Sequence, residues 1–255
     1  MISLKSKREI KIIQEAAQVL KKVFIEVQQA VQANVTTNEL DRIAEDVIKK
    51  CGAEPAFKGY RGFPKTACIS VNEEVVHGIP GPRKLKTGDL VSFDIGCKVN
   101  GYYADAARTW PVGSIESGRV KLMETARKSF EAGIAAYKPG CRIGDLSESI
   151  QKVIEAQGFG IVRDYVGHGI GRMIHEEPQV PNYGKPGQGP KIEPGLVLAI
   201  EPMVTEGHHA VETLKDGWTV VTQDRKWASH YEDTVAFIDN KVVNLTGDFL
   251  GSVIE

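Results

Sequence analysis

Two aspartates flank a predicted tight turn, and their spacing would place both carboxylates on one face of a β-hairpin. Asp94 and Asp105 lie on either side of Asn100-Gly101, and Asn-Gly suits a two-residue type I′ turn because both turn residues need positive φ. This turn would place Asp105 opposite Gly96. Residues 94 and 96 project to the same strand face, so the two aspartates would be diagonal neighbours with Cα atoms roughly 7–8 Å apart. That separation leaves room for two metal ions ~3.5–4 Å apart.

Three segments in the second half of the chain could complete such a site. His168 and His175 lie in a glycine-rich segment, Glu201 interrupts an apolar run, and Glu232 begins a predicted strand. Taken singly, a strand aspartate is usually solvated, and a histidine is more often structural than a ligand. Glu201 fits a structural reading less well, because a charged group inside a buried strand needs a partner.

The charges of these candidates balance when they are taken together. Four carboxylates carry four negative charges, which two divalent cations would neutralise; they belong to Asp94, Asp105, Glu201 and Glu232. The neutral imidazole of His168 would add a nitrogen donor. Such an oxygen-rich site suits Mn²⁺, Fe²⁺ or Co²⁺ at least as well as Zn²⁺, and it lacks the thiolates of structural zinc. Without metal, the carboxylates would raise one another's pKa values and destabilise the fold.

Capping signals and hydrophobic periodicity predict the elements that position these residues. Ser6-x-x-Glu9 and Thr36-x-x-Glu39 are capping boxes that open two helices, and Gly52 ends the second. Helices are predicted at 6–31, 36–52, 119–137 and 143–157, loops at 56–64 and 181–195, and strands near 66–71, 75–78, 89–98, 102–110, 163–167, 196–205, 218–222, 231–238 and 241–245. Helices followed by strands, twice over, indicate an α+β fold of two similar halves in one domain, residues 1–255.

Composition narrows the class of protein. The chain has 255 residues, 42% hydrophobic and 25% charged, with a net charge of −1, which is ordinary for a globular protein. The absence of a basic run argues against a nucleic-acid partner, and no apolar stretch approaches the ~20 residues of a membrane span. The N-terminus is too charged for a signal peptide, and the four cysteines lack Cys-x-x-Cys spacing. We therefore expect a cytoplasmic protein with reduced thiols, and a monomer, because no association helix is evident.

These residues, in this order, resemble the type I methionine aminopeptidase family over roughly residues 3 to 250. Besides Asp94 and Asp105, the segments that carry the resemblance are 75–80, 167–171, 175–178, 200–203, 216–219 and 231–234. The resemblance implies the pita-bread fold, with two pseudo-symmetric halves of antiparallel sheet and helices around a central dinuclear metal site. It also implies removal of the initiator methionine from nascent polypeptides when the second residue is small, with transient ribosome association.

The resemblance further implies a role for each site residue. It implies five ligands to two divalent ions (Mn, Fe(II), Co or Zn), namely Asp94, Asp105, His168, Glu201 and Glu232. A water that bridges two such ions loses a proton near neutral pH, and the resulting hydroxide would attack the scissile carbonyl. Glu201 would shuttle the proton to the leaving amine. His175 would donate a hydrogen bond to the oxyanion, and His77 would contact the scissile amide nitrogen.

The substrate methionine needs an apolar slot, and a thioether gains ~0.3–1.5 kcal/mol against aromatic edges. By resemblance, the lining comprises Tyr60, Phe63, Cys68, Ile174 and Trp218, with Phe57 as a further candidate. The alternative reading of these aromatics is ordinary core packing, and nothing in the sequence marks Cys68 as reactive.

Several positions depart from the pattern of the family. Ala228 falls where many members have a serine that helps to bind a monovalent cation beside the Asn72 and Glu74 carbonyls. Ser229 could compensate, so a monovalent cation near Asn72 is left open. Asp233 stands where histidine is common, and an aromatic is frequent at position 174. None of these changes removes a ligand.

Two alternatives remain. A proline-specific aminopeptidase or dipeptidase of the same fold is usually longer, with an additional N-terminal domain, whereas only a short segment precedes Asp94. A binding protein that kept the fold and lost catalysis would normally lose metal ligands. Here all five ligands and both accessory histidines, His77 and His175, are present.

Overall fold

The computed structural model describes residues 1–247. Its helices are α1 (Lys7–Ala30), α2 (Thr37–Lys50), α3 (Ser117–Ala135) and α4 (Ile143–Ala156). They pack as two pairs, α1 with α2 and α3 with α4, that follow one another along the chain. Helices α1 and α2 begin with the predicted capping boxes. The side chains of Ser6 and Thr36 accept from the backbone N–H groups of Glu9 and Glu39, whose carboxylates accept in return from the cap residues. These caps satisfy orphan donors at each helix start.

Strands occupy most of the segments where alternating or apolar patterns predict them. They are β1 (Glu54–Pro55), β2 (Cys68–Val71), β3 (Glu74–Val76), β4 (Leu90–Val99), β5 (Tyr102–Pro111), β6 (Gly160–Ile161), β7 (Gly167–Gly169), β8 (Glu176–Val180), β9 (Val197–Ile200), β10 (Met203–Thr205), β11 (Val211–Thr213), β12 (Val220–Thr222), β13 (Ala228–His230), β14 (Glu232–Ile238) and β15 (Lys241–Asn244). A single 3₁₀ turn, Tyr60–Gly62, lies in the predicted loop at 56–64.

The principal sheet joins strands from both halves of the chain. Its order is β1-β4-β5-β14-β9-β7-β8, with β2 added beside β4 and β15 beside β14. Two further three-stranded antiparallel sheets have the orders β13-β10-β6 and β11-β12-β3. The central connection, β5 to β14, consists of two residue pairs, Glu232 with Ala107 and Asp233 with Ala106. The two halves of the sheet therefore meet along a short seam.

Each helix pair packs on its own part of the sheet. One core places α1 and α2 against β4 and β5, where the rings of Phe24 and Phe93 meet edge to face with centroids 5.8 Å apart. The other core places α3 and α4 against β9 and β14, around Phe130 and Phe237. Each fully buried side chain of this size contributes about 1.5–3 kcal/mol. Two separate cores thus hold the seam between them.

The predicted hairpin register is confirmed. Asn100 and Gly101 have φ values of 48° and 83°, as a type I′ turn requires. Asp94 pairs with Ala107, and Asp105 pairs with Gly96. Both carboxylates therefore project from the same face of the sheet.

Some predicted boundaries were wrong. The strand near 163–167 is replaced by β6 and β7, with a turn between them. The strand near 196–205 is interrupted at Glu201-Pro202, because proline has no N–H for the ladder. The strands β1, β6, β11 and β13 are two or three residues long, too short to show a period. β8 was missed because its Glu-Glu-Pro sequence is unfavourable for a strand.

The helices of residues 1–247 include none with the length and hydropathy needed to cross a bilayer. The predicted domain of residues 1–255 and the resemblance to residue 250 both extend into residues 248–255, which lie outside the described part of the chain.

Candidate metal centre and substrate cleft

The five predicted ligands lie on neighbouring strands of the principal sheet. From one edge to the other, β4 carries Asp94, β5 carries Asp105, β14 begins with Glu232, β9 is followed by Glu201, and β7 carries His168. Ala107 pairs with Asp94 on one side and with Glu232 on the other, so these carboxylates share one face. Ala199 pairs with Thr234 and with His168 in the same way. Sheet register alone thus brings together residues far apart in sequence.

The donor atoms converge to metal-binding distances. One donor atom each from Asp105, His168 and Glu232 lies within 4.8 Å of the others. The Nε2 atom of His168 is 4.0 Å from Asp105 Oδ2 and 3.7 Å from Glu201 Oε1. Two ligand atoms that are each about 2 Å from a shared cation are at most about 4 Å apart, and the two distances from His168 lie within this limit.

Three carboxylate oxygens of the centre lack any hydrogen-bond partner among the described residues. They are Asp94 Oδ1, Asp105 Oδ1 and Glu232 Oε1, and all three are buried. Buried polar atoms are nearly always paired, and an uncompensated buried charge is strongly destabilising. Oxygen donors with one imidazole are the ligands that divalent transition ions accept. The residues present therefore fit a divalent-metal centre.

The imidazole of His168 is oriented as a ligand requires. Its Nδ1 lies 2.9 Å from the carbonyl oxygen of Gly169, which can only accept, so Nδ1 carries the proton. Burial lowers the pKa of His168 to about 3, so the ring is neutral at physiological pH. The lone pair of Nε2 then faces the carboxylates, as in metal sites whose histidines are fixed by a carbonyl acceptor.

Burial also shifts the carboxyl groups, in the opposite sense. It raises the pKa of Asp105 to about 7. Burial first, and then repulsion from Asp105, raise the pKa values of Asp94, Glu201 and Glu232 well above their usual range. Bound cations reverse this effect because they favour the ionised carboxylates.

Hydroxyl and guanidinium groups fix the strands at the seam. Thr234 Oγ1 accepts from the backbone N–H of Asp105 at 2.9 Å and donates to its carbonyl oxygen at 2.7 Å. Arg108 donates to the carbonyl oxygen of Glu232 at 2.6 Å and to Asp233 Oδ1 at 2.7 Å. Asp233 is fully buried. The aspartate that departs from the family pattern thus has a defined structural partner.

A cleft of about 960 Å³ opens over the centre, and an apolar cluster forms one wall. The structure brings together in this cluster the side chains predicted for the pocket, namely Phe57, Tyr60, Phe63, Cys68, Ile174 and Trp218. Ile79 and Tyr103 also pack there and were not predicted. Cys68 pairs with Asp94 across β2 and β4, so the apolar wall adjoins the carboxylates directly.

The small sheet β11-β12-β3 brings His77 and Trp218 close together. His77 follows β3, Trp218 precedes β12, and Val76 pairs with Val220 between these two strands. The rings of His77 and Trp218 have centroids 6.4 Å apart, and both line the cleft. His77 has φ of 59°, a strained value for a residue other than glycine and one that clusters at functional sites. Burial lowers the pKa of His77 to about 4, so it is neutral.

His175 lines the same cleft. Its ring centroid is 4.4 Å from that of His168, and its Nδ1 is 3.0 Å from the hydroxyl oxygen of Tyr60. Burial against the cleft wall lowers the pKa of His175. A neutral ring that accepts from Tyr60 at Nδ1 has Nε2–H available as a donor.

Two buried polar residues beside Glu201 were not predicted. His230 Nε2 lies 3.7 Å from Glu201 Oε2, and Asn182 donates to the Glu201 carbonyl oxygen at 3.0 Å. The only signal in the sequence was the position of His230 two residues before Glu232. Asn182 lies just after β8, four residues beyond the motif at 175–178, where no local pattern marks it.

Polar groups near the predicted monovalent cation site already form hydrogen bonds within the protein. The backbone N–H of Ala228 donates to the Asn72 carbonyl oxygen at 2.8 Å. The Asn72 side chain binds the Leu90 N–H and Asp89, and Ser229 Oγ is buried without a partner among the described residues. The monovalent site stays a prediction.

Comparison with known proteins agrees with this geometry. The profile of metallopeptidase family M24 matches residues 11–239. The methionine aminopeptidase of Clostridium perfringens is 51% identical over 240 residues, which cover 94% of this chain and 96% of that protein. The solved methionine aminopeptidase of Thermotoga maritima has a TM-score of 0.95 and 42% identity, covering 97% of this chain and 100% of its own.

A prolidase of Pyrococcus furiosus is also similar, with a TM-score of 0.77 and 26% identity. The match covers 96% of this chain but 65% of the prolidase. These likenesses confirm the predicted pita-bread fold, and the curved antiparallel sheet with its two helix pairs is that architecture.

Proposed function

The chain belongs to metallopeptidase family M24, and from that membership we propose that it is a methionine aminopeptidase. It removes the N-terminal initiator methionine from nascent polypeptides when the second residue is small. One observation carries the substrate assignment: a slot walled by apolar and aromatic side chains opens directly onto the carboxylate centre, since Cys68 pairs with Asp94. An unbranched thioether fills such an irregular apolar space well.

The proposed ligand set comprises Asp94, Asp105, His168, Glu201 and Glu232, which would hold two divalent ions. The support is the charge balance of four carboxylates and the three orphaned oxygens. Ions held here would acidify a bound water and polarise the scissile carbonyl. The metal is Mn, Fe(II), Co or Zn. In this proposal a monovalent cation also binds near Asn72.

Glu201 moves the proton in this proposal. It accepts the proton of the attacking water and passes it to the leaving amine. Burial and the nearby Asp105 charge raise the pKa of Glu201 in the metal-free chain; bound cations would lower it again, which leaves an ionised carboxylate able to accept that proton. Its backbone is fixed by Asn182, which limits its movement.

The two cleft histidines act on the reacting amide. Tyr60 Oη lies 3.0 Å from His175 Nδ1; in the proposed tautomer Nδ1 accepts from this hydroxyl, and Nε2–H donates to the developing oxyanion. His77 is neutral and contacts the scissile amide nitrogen, where it assists departure of the amine. Tyr60, Phe63, Cys68, Ile174 and Trp218, with Phe57, enclose the methionine side chain and exclude water.

The test is hydrolysis of Met-Ala-Ser compared with Leu-Ala-Ser and with Xaa-Pro peptides. The purified chain is stripped with chelator and reconstituted separately with Mn²⁺, Fe²⁺, Co²⁺ or Zn²⁺. We expect cleavage of Met-Ala-Ser with at least one ion and little of the other peptides. A preference for the Xaa-Pro substrate would assign the chain to the prolidase branch instead. Stoichiometric metal binding without turnover of any peptide would favour a binding protein.

We also propose that the protein is a cytoplasmic monomer whose partners are nascent-chain N-termini at the ribosome. The support is the reduced state expected of its unpaired cysteines and the exposure that a nascent chain needs to reach an open cleft. Light scattering measures the oligomeric state, and cosedimentation with translating ribosomes measures the association. Calorimetric titration of the metal-free chain gives the number of ions.

A further inference from the structure

The N-terminal segment before α1 reaches the rim of the cleft. Met1 and Ser3 contribute to the cleft lining, and the Lys5 N–H donates to the Gly195 carbonyl oxygen at 2.6 Å. Gly195 has φ of 94°, and an added Cβ would lie 2.7 Å from the Lys5 carbonyl oxygen. Glycine at position 195 therefore permits both the local backbone conformation and the close approach of the segment.

Lys5 forms an ion pair in the interior of the protein. Its Nζ lies 2.5 Å from Glu176 Oε2, and the two side chains are 2% and 8% exposed. The same ammonium donates to the Ser3 carbonyl oxygen at 2.7 Å. A buried pair is costly to desolvate, so it is weak evidence for stability by itself. Glu176 also lines the cleft, so the pair is placed to fix the position of cleft residues.

Glu176 links this pair to the turn that carries His175. Its second oxygen, Oε1, accepts from the Met173 N–H at 3.1 Å, so one carboxylate binds both Lys5 and the turn. An added Cβ at Gly171, where the turn begins, would overlap the Lys5 side chain. The turn thus packs directly on Lys5.

The turn contributes one side chain to the apolar cluster and the next one to the cleft. Ile174 is 2% exposed and belongs to the apolar wall. His175, the next residue, places its ring between Tyr60 and His168. Ile174 and His175 are the two residues immediately before Glu176, so a displacement of the Glu176 carboxylate moves both side chains.

We propose that Lys5 is a positioning residue for His175, an inference that rests on the proposed function. The ammonium fixes Glu176, Glu176 fixes the turn, and the turn sets the ring that faces the scissile carbonyl. A misplacement of about 1 Å can lower a rate about 100-fold. Among the described residues, the hydrogen bonds and ion pairs of Lys5 go to Ser3, Glu176 and Gly195 and to none of the five proposed ligands, so we expect metal binding to be retained.

The first experiment compares Lys5→Met, which keeps the length but removes the charge, with Lys5→Arg, which keeps the charge. We expect Lys5→Met to lower kcat for Met-Ala-Ser about 10–100-fold, with KM and the calorimetric metal stoichiometry near wild type. Lys5→Arg should recover a large part of kcat. The control is Lys7→Met, because the Lys7–Asp239 pair is exposed, at 67% and 68%, and such pairs contribute little.

A double-mutant cycle separates positioning from a general structural effect. If Lys5 acts through His175, Lys5→Met should cause almost no further loss of kcat in a His175→Ala background. An equal loss in both backgrounds would overturn the proposal, as would wild-type kcat in Lys5→Met or loss of metal from it. If Lys5→Met melts below the assay temperature, Glu176→Gln, which preserves shape, enters the same cycle with the same criteria.

The wild-type chain distinguishes this inference from the function on which it rests. Metal-loaded wild type that cleaves Met-Ala-Ser, together with an unaffected Lys5→Met variant, rejects the role of Lys5 alone. Metal-loaded wild type that cleaves no Met-peptide rejects the proposed function, and the role of Lys5 in it falls for that separate reason.

Discussion

Glu201 is the residue at which folding and chemistry make opposite demands. It follows a strand whose residues are all buried, and its own carboxyl group faces the interior of the cleft beside Asp105 and His230. An apolar residue would suit the fold better there. The proposed roles of Glu201, binding of cations and transfer of a proton, would explain a carboxylate at this position.

Glu201→Gln tests the proton transfer. Glutamine keeps the shape and can still offer one oxygen, but it cannot accept the proton, so kcat should fall by about 10²–10⁴. Steady-state kinetics on Met-Ala-Ser measures this, with metal content determined on the same sample. The matched control is Glu193→Gln at an exposed position, which should behave as wild type. Near-normal turnover in Glu201→Gln would remove the shuttle role.

His77→Ala tests a contact to the substrate amide. The neutral ring of His77 lines the cleft, so its loss should lower kcat by about 10²–10⁴, the usual contribution of a positioned proton donor. Metal stoichiometry, measured by calorimetry, should not change. His208→Ala, at an exposed position in a different loop, provides the control. A His77→Ala protein that loses metal would make His77 a ligand or a support of the ligands.

At the scale of elements, the hairpin and the seam differ in how far the sequence predicts them. Asn100-Gly101 fixes the β4–β5 register through local turn chemistry, so the relation of Asp94 to Asp105 follows from a short segment. The pairing of β5 with β14 joins strands more than a hundred residues apart, and no local pattern encodes it. Glu201, Glu232 and His168 were therefore placed by charge balance and by resemblance.

The contacts that support the site were the least predictable. The Lys5–Glu176 pair joins two ordinary charged residues 171 positions apart, and each looks like a surface residue in its own segment. Thr234 occupies a strand, where threonine is common, so its two hydrogen bonds to the backbone of Asp105 give no sequence signal. Very short strands were missed for a related reason, because two or three residues cannot display an alternation.

Thr234→Val tests the seam. Valine has nearly the same shape but leaves the buried N–H and carbonyl groups of Asp105 without their partner, which should cost about 1–3 kcal/mol of unfolding free energy. Urea unfolding of the metal-free protein measures this, and calorimetry should show metal affinity weakened about 10–100-fold. Thr213→Val on exposed β11 should change stability by no more than about 0.5 kcal/mol. Equal effects of both variants would contradict the role of Thr234.

At the scale of the whole molecule, cation binding and the protonation state of the interior are linked. Burial raises the pKa of Asp105 to about 7, so in the metal-free protein this group holds a proton that it would lack when unfolded. The stability that it contributes is present below pH ~4 and is lost as pH rises through about 7. Cations must displace that proton.

Metal binding should therefore release protons and strengthen with pH. From pH 6 upward we expect the apparent affinity to rise by up to about tenfold per pH unit for each proton released. His168, whose pKa is about 3, should release none. Calorimetry in buffers of different ionisation enthalpy measures the proton count. An affinity that does not change with pH would show that the carboxylates are already ionised without metal.

Chelation should lower the melting temperature, because metal binds only the folded state. The difference in melting temperature between loaded and stripped protein should grow as pH rises from 6 to 8. The comparison at each pH cancels the contribution of His77 and other groups away from the centre. An unchanged melting curve in chelator would contradict tight binding at a preformed site.

The two-pair connection between β5 and β14 has a consequence for how long an ion stays. Proposed ligands lie on both of these strands, Asp105 on β5 and Glu232 on β14, so bound cations would hold the two strands together and release of the cations would require the strands to separate. Deuterium uptake at the amides of Ala106 and Asp233 should consequently be slow in metal-loaded protein and faster after the metal is stripped. The exchange rate of these two amides would then report how fast the cations leave.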